Sequence, residues 1–261
     1  MNAGSFTVLQ AALVGLGAGV ALAIPAWIAS VIRRDASIVD TFWSWFIWLP
    51  PAIVASLVPS GSRAPILLAI VALWAIRLSG HIAWRSRGQP EDHRCQAIRQ
   101  RNQPGFAWKS LYLVFGLQAM LGWIVSWPLI AAVASPAPWG MLDALGLALL
   151  VFGLVFEAIA DTQLARFRTD PSRRGRVLDQ GLWRYSRHPN YFGECCGWWG
   201  AWLVAASAGA WWSVLSPLLM TVLLLRVSGV ALLEKDIGER RPAYAEYIRR
   251  TNAFFPGRPA Q

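Results

Sequence analysis

Charge is what this chain has least of. Of its 261 residues, only 15% are charged, where a soluble domain of this length carries about a quarter. Histidine is nearly absent: the three present, at 81, 93 and 188, are scattered, so no metal-ligand spacing exists. Cysteine is equally sparse. Cys95 sits in a basic stretch and Cys195 and Cys196 are adjacent, which excludes a disulfide framework. There is no Gly-x-Gly-x-x-Gly turn, no P-loop and no Gly-x-Ser-x-Gly elbow, so no soluble nucleotide-binding or hydrolase signature is visible. The first residues lack the basic flank and short apolar core of a signal peptide, so the first apolar segment is expected to stay as a span.

What fills the space is apolar. Hydrophobic residues make up 56% of the chain, sixteen residues are tryptophan, and mean hydropathy is +0.41. Several runs reach the roughly 20 residues needed to cross a hydrocarbon core. The expected fold is all-α: a polytopic membrane protein with about seven transmembrane helices, near 8–32, 38–58, 64–84, 108–134, 139–160, 190–208 and 211–233. It reads as a single membrane domain over 1–261. Charged stretches follow the first, third, fifth and seventh spans, whereas the intervening loops are nearly neutral, with Arg63 alone between spans two and three. By the positive-inside rule this puts the N-terminus outside and the C-terminus in the cytoplasm. The formal charge of +10 is thereby explained as membrane flanks, not nucleic-acid binding.

Charged groups inside spans are costly and mark a site or an internal pair. Asp40, Arg77, Glu157, Asp161, Glu194 and Glu234 fall at or near the cytoplasmic ends of their spans, as the wall of a cytoplasm-facing cavity would. Glu157 and Asp161, four apart, share a helix face. So do Asn190 and Glu194, in the first turns of a helix that Pro189 is suited to open. An amide and a carboxylate on one face suit a group that both donates and accepts, such as a carboxamide. Gly193 between them permits close approach of either a second backbone or a flat ligand. Arg184, Arg187 and His188 precede that helix, where phosphate is favoured. Near the C-terminus, Tyr244 and Tyr247 begin a segment that suits an interfacial helix or a cover over the cavity.

"GLWRYSRHPNYFGE", with "SIVDTFW", "LWAIRLSGHIAWRSRGQPEDHR" and the ending "YAEYIRRT", resembles bacterial membrane proteins related to the steroid 5-alpha-reductases. The resemblance implies a seven-helix fold, NADPH in a cytoplasm-facing cavity, and hydride transfer to an activated carbon–carbon double bond of a lipid-like substrate from the bilayer. Residues 139–256 would form the cofactor half and 1–134 the substrate side of an inner-membrane enzyme. The family's cofactor residues carry over to Asp161, Arg168, Asn190 and Glu194, and its third-span arginine to Arg77. Glu157 stands where the family has asparagine. Arg187 and His188 are expected near the phosphates, with Tyr244 and Tyr247 at the adenosine end. The reductases' two proton donors are missing, since Trp48 and Trp74 occupy those positions. Asp40 is then the remaining candidate acid, in a role that needs a dry pocket. The "RHPNY" block also resembles the isoprenylcysteine carboxyl methyltransferases, which would assign Arg187, His188, Tyr191 and Glu234 to S-adenosylmethionine. A lipid-binding protein without catalysis is the third reading. Membrane lipids are expected partners in each.

Overall fold

The computed structural model describes residues 6–227, 229, 230, 234 and 242–260. Every regular element among them is helical. The chain divides into two compact units, Met1–Pro138 and Trp139–Gln261.

In the first unit, α1 (Val8–Arg33) opens with a capping box: the Thr7 side chain accepts from the Gln10 amide and Gln10 accepts from the Thr7 amide. It closes at Arg34, whose φ of 54° caps the last carbonyls in the left-handed region. A single 3₁₀ turn leads into α2 (Val39–Leu57). α2 packs against α1 where Gly15 faces Pro50; a methyl group at Gly15 would lie 2.9 Å from the Pro50 Cα. α3 (Ala64–Ser86) lies against α2, tied by Ser44 and Ser79, whose hydroxyls are 2.9 Å apart, and by the Trp48 indole on the Leu68 carbonyl at 3.0 Å. Trp74 is buried in the core of this unit. The two tryptophans at the proton-donor positions therefore do packing work.

The charged stretch after α3 holds a short helix, α4 (His93–Arg101), capped by Asp92. α5 (Phe106–Val125) follows, with one π-turn over Leu111–Gly116. The sequence reads 108–134 as one span, but the helix breaks at Ser126 and resumes as α6 (Trp127–Ala134). Pro128 is the reason: it has no N–H to continue the ladder, and its ring crowds the preceding turn. Arg63, read as a lone loop charge, is fully buried and donates to the carbonyls of Ala137 at 2.6 Å and Pro138 at 2.8 Å.

In the second unit, α7 (Met141–Thr169) starts at Gly140, whose amide donates to Asp143 at 2.8 Å. α8 (Pro189–Ser207) starts on Pro189, a residue preorganised for the first helical position. α7 and α8 pack with almost nothing between them. A methyl at Gly146 would lie 2.7 Å from the Gly200 carbonyl, and one at Gly200 would lie 2.7 Å from the Gly146 carbonyl. Gly153, Gly193 and Gly197 continue the seam. In a bilayer, where lipid offers no hydrophobic drive between helices, small residues that let backbones touch are what hold such a pair. α9 (Trp211–Val227) and α10 (Pro242–Arg250) complete the described elements.

Among the described residues, five helices are long and apolar enough to cross a membrane: α1, the 36–57 segment containing α2, α3, α5 and α7. The apolar side chains exposed along α1, from Leu9 to Ile32, are those a bilayer would cover. This is a polytopic, all-helical membrane fold. α8, which carries Asn190 and Glu194, is less apolar than these five, and α9 is a helix of 17 residues, the remainder of the expected seventh span to 233 falling largely outside the described residues.

Candidate functional site

Two of the candidate residues belong to the first unit. Asp40, on α2, accepts from the Arg94 guanidinium at 2.8 Å and from the Gln118 amide at 3.5 Å. Arg94 also donates to Asp92 at 2.8 Å, so an Asp–Arg–Asp chain fixes the start of α4 against α2. The geometry is that of an ion pair, not of an isolated acid in a dry pocket. Beside it, Glu91 accepts from Arg99 at 2.8 and 2.9 Å and from the Ala36 amide at 2.7 Å. Burial pushes the Glu91 carboxyl up, but Arg99 and the Ala36 amide hold it below the usual range. Glu91, Asp92, Arg94 and Arg99 all belong to the charged stretch after the third span, which the sequence shows only as a loop. Arg77 is half-buried on α3.

The second unit holds the rest. Glu157 and Asp161 are buried on α7, and Glu194 is buried on α8. The Asn190 amide nitrogen donates to Asp161 at 3.2 Å. Gly193 resolves to the backbone alternative: a methyl there would meet the Glu157 amide nitrogen at 2.6 Å, so what approaches is α7 itself and not a flat ligand. Close packing of glycine on backbone thus brings α7 and α8 together where Asn190 meets Asp161 and where Gly193, next to Glu194, meets the backbone of Glu157. Asn190 and Tyr191 are only half-buried, and Arg168 is exposed at the end of α7.

Arg187 and His188 form a second cluster with Glu234. Arg187 grips the Glu234 carboxylate through two bonds of 2.7 Å, and the His188 Nε2 lies 2.9 Å from the same carboxylate. A bidentate guanidinium–carboxylate pair is among the stronger polar contacts. Burial pushes the Glu234 carboxyl up, yet the Arg187 and His188 bonds outweigh it and bring it down to about 2. The remaining Arg187 donors reach the Ile248 carbonyl at 3.1 Å and the Thr251 carbonyl. The expectation that Arg187 grips phosphate is therefore replaced: its guanidinium anchors the C-terminal segment. The His188 ring stacks parallel on Tyr191, with centroids 5.6 Å apart. Tyr247 is buried, its hydroxyl donating to the Trp183 carbonyl, and Tyr244 packs edge-on against it at 5.2 Å. Tyr247 is a core anchor and does not line an open adenosine site.

Among the described residues, no three His, Cys, Asp or Glu side chains are grouped to hold a metal ion.

Residues 26–251 match the family described as "Protein of unknown function (DUF1295)". This chain belongs to that family. An uncharacterized protein of Schizosaccharomyces pombe (strain 972) is 28% identical over 266 aligned positions, covering 88% of this chain and 75% of the yeast protein. No solved structure matches. DUF1295 membership fits both readings that the RHPNY block suggests, reduction and methyl transfer. The two sets of residues concerned, Asp161 with Asn190 and Arg187 with His188 and Glu234, lie in the part of the chain that the family covers.

Proposed function

We propose that this DUF1295 protein is an NADPH-dependent membrane reductase of an activated carbon–carbon double bond in a hydrophobic, steroid- or lipid-like substrate. The observation that carries the reading is the α7–α8 seam, where the Asn190 amide meets Asp161 at 3.2 Å and Glu157 and Glu194 are buried alongside. The donor set fits one end of the cofactor. A nicotinamide carboxamide donates and accepts, and an amide beside carboxylates answers both needs. Asn190 and Glu194 would hold that group, with Arg168 toward a phosphate. Arg77 is kept as a cofactor contact on the resemblance alone. NADPH, when bound, would supply the hydride. The proton is assigned to no residue, since Asp40 is paired with Arg94 and both Trp48 and Trp74 are engaged in packing. The alternation of charged and neutral loops supports an outside N-terminus and a cytoplasmic C-terminus, and the resemblance supports a bacterial inner membrane.

A specific observation favours a second reading. Of the residues that the methyltransferase resemblance would assign to S-adenosylmethionine, Arg187 and His188 both meet the Glu234 carboxylate, and Tyr191 stacks on the His188 ring. The two separate on one experiment. The protein is purified in mild detergent and the co-purifying small molecule is identified by mass spectrometry, and NADPH binding is titrated by tryptophan fluorescence. Asn190→Ala and Glu194→Gln are expected to weaken NADPH binding at least tenfold in protein that remains folded. Parent-like binding by both variants refutes the reductase reading, and S-adenosylmethionine or its demethylated product in the preparation supports methyl transfer.

A further inference from the structure

The second unit carries an arginine-lined cleft that neither reading uses. Its volume is about 770 Å³, and its walls include Arg184, Tyr185, Arg250 and Arg258. Among the described residues of its lining Asp179 is the one carboxylate, 3.6 Å from Arg250, which also lies 3.5 Å from Glu246; Arg184 and Arg258 leave that lining with a surplus of positive charge. The walls are built, not loose. The Gly257 amide donates to the Tyr185 carbonyl at 2.9 Å, the Ala260 amide to the Arg250 carbonyl at 2.8 Å, and the Ser186 hydroxyl to the Phe254 carbonyl at 2.8 Å. These bonds fasten the segment bearing Arg258 to the turn bearing Arg184 and Tyr185. Several exposed guanidinium groups around one cleft are suited to the oxygens of a phosphate.

What kind of phosphate is indicated by the surroundings. Three residues before Arg258, the Phe255 ring is 69% exposed, and its centroid is 6.1 Å from that of Phe192 on α8. Phe192 stacks edge-on against Phe156 at 5.6 Å, and Phe156 meets Phe152 at 5.4 Å, both on the apolar helix α7. Phe152 is itself exposed. A ladder of phenyl rings thus runs from within the span of α7 to the segment that bears Arg258. A soluble anion has no use for it. A phospholipid would lay acyl chain along the rings and place its headgroup phosphate among the arginines, with aromatic groups at the interface where they are favoured.

We propose that this cleft seats the phosphate of an anionic phospholipid at the membrane surface, as a site apart from the one proposed for the cofactor. The test uses the full chain in nanodiscs and measures retention of phosphatidylglycerol against phosphatidylcholine by native mass spectrometry. The parent is expected to prefer phosphatidylglycerol. Arg184→Gln with Arg258→Gln should weaken that preference by roughly 25-fold, at about fivefold for each guanidinium lost near the surface. Arg87→Gln with Arg101→Gln, exposed basic residues of the other unit, should leave it unchanged. Should the double variant not fold, the two single variants carry the test, each about fivefold weaker. A cleft variant that holds phosphatidylglycerol as the parent does overturns the proposal, and so does an equal loss in the control pair. Inorganic pyrophosphate binding at these arginines in lipid-free detergent, without a preference for phosphatidylglycerol, overturns it in favour of a soluble anion.

Discussion

Replacing Glu234 with glutamine tests how the C-terminal segment is held. In the folded protein, Glu234 is the only carboxylate placed against both Arg187 and His188 among the contacts of the described residues, and both of those side chains are nearly buried. Its worth can be put in two ways, both resting on the same bonds to Arg187 and His188. Removing one partner of a buried ion pair costs roughly 3–5 kcal/mol, because the other charge is left without compensation. The Glu234 carboxyl moves from 4.5 to about 2 on folding, which by linkage is worth about 3 kcal/mol. The sign follows from the depressed value. The stabilisation is fully present above about 4.5 and is lost as pH falls toward 2. Arg187 also binds the Ile248 and Thr251 carbonyls, so the loss should be felt first at the end of α10. Limited trypsin digestion in detergent reads this directly. Glu234→Gln is expected to raise cleavage after Arg249 and Arg250 by at least tenfold, while cleavage in the 85–101 stretch of the other unit keeps its parent rate. Unchanged C-terminal cleavage would refute the account of Arg187 as an anchor.

Two further outcomes follow from contacts in the helices and their connecting loop. Gly193→Ala puts a methyl 2.6 Å from the Glu157 amide nitrogen and 2.7 Å from the Gly153 carbonyl, both backbone and unable to yield, and should cost about 1–3 kcal/mol by thermal unfolding in detergent; Gly17→Ala, with nothing within 4 Å, is its control and should be neutral or stabilising. The Glu91 carboxyl is held low, so its clamp on Arg99 and Ala36 is intact above the ordinary carboxylate value and released as pH falls below it; amide exchange in α4 should accelerate on acidification in the parent but be fast and pH-insensitive, beyond the intrinsic rate, in Glu91→Gln.

The membrane class was legible because it rests on bulk properties: length and apolarity of a run decide whether it can span, whatever it packs against. The interruption of the fourth span was legible too, in Pro128, had its missing N–H been weighed against the apolar run around it. The limits lay in pairings between residues distant along the chain. Spacing puts Asn190 and Glu194 on one face of α8, but only the fold shows that Gly193 on that face is filled by the backbone of Glu157, thirty-six positions earlier. Arg187 and Glu234 are forty-seven residues apart, and among so many arginines no local pattern selects that partner.

The same limit applies to charge. A sequence shows a cation without showing its anion, so Arg187 reads as a phosphate contact and Arg63, Arg94 and Arg99 read as charges of loops flanking the membrane. Arg63, Arg94, Arg99 and Arg187 all turn out to be spent on protein oxygens. For the burial of such groups to be tolerated, each must be matched inside the fold. The arginines that stay exposed are those on which a bound anion can act at least cost; they are spread over both units, and three of them, Arg184, Arg250 and Arg258, line one cleft. In a chain where buried cations are consumed by structure, it is the guanidinium groups left at the surface that carry information about ligands.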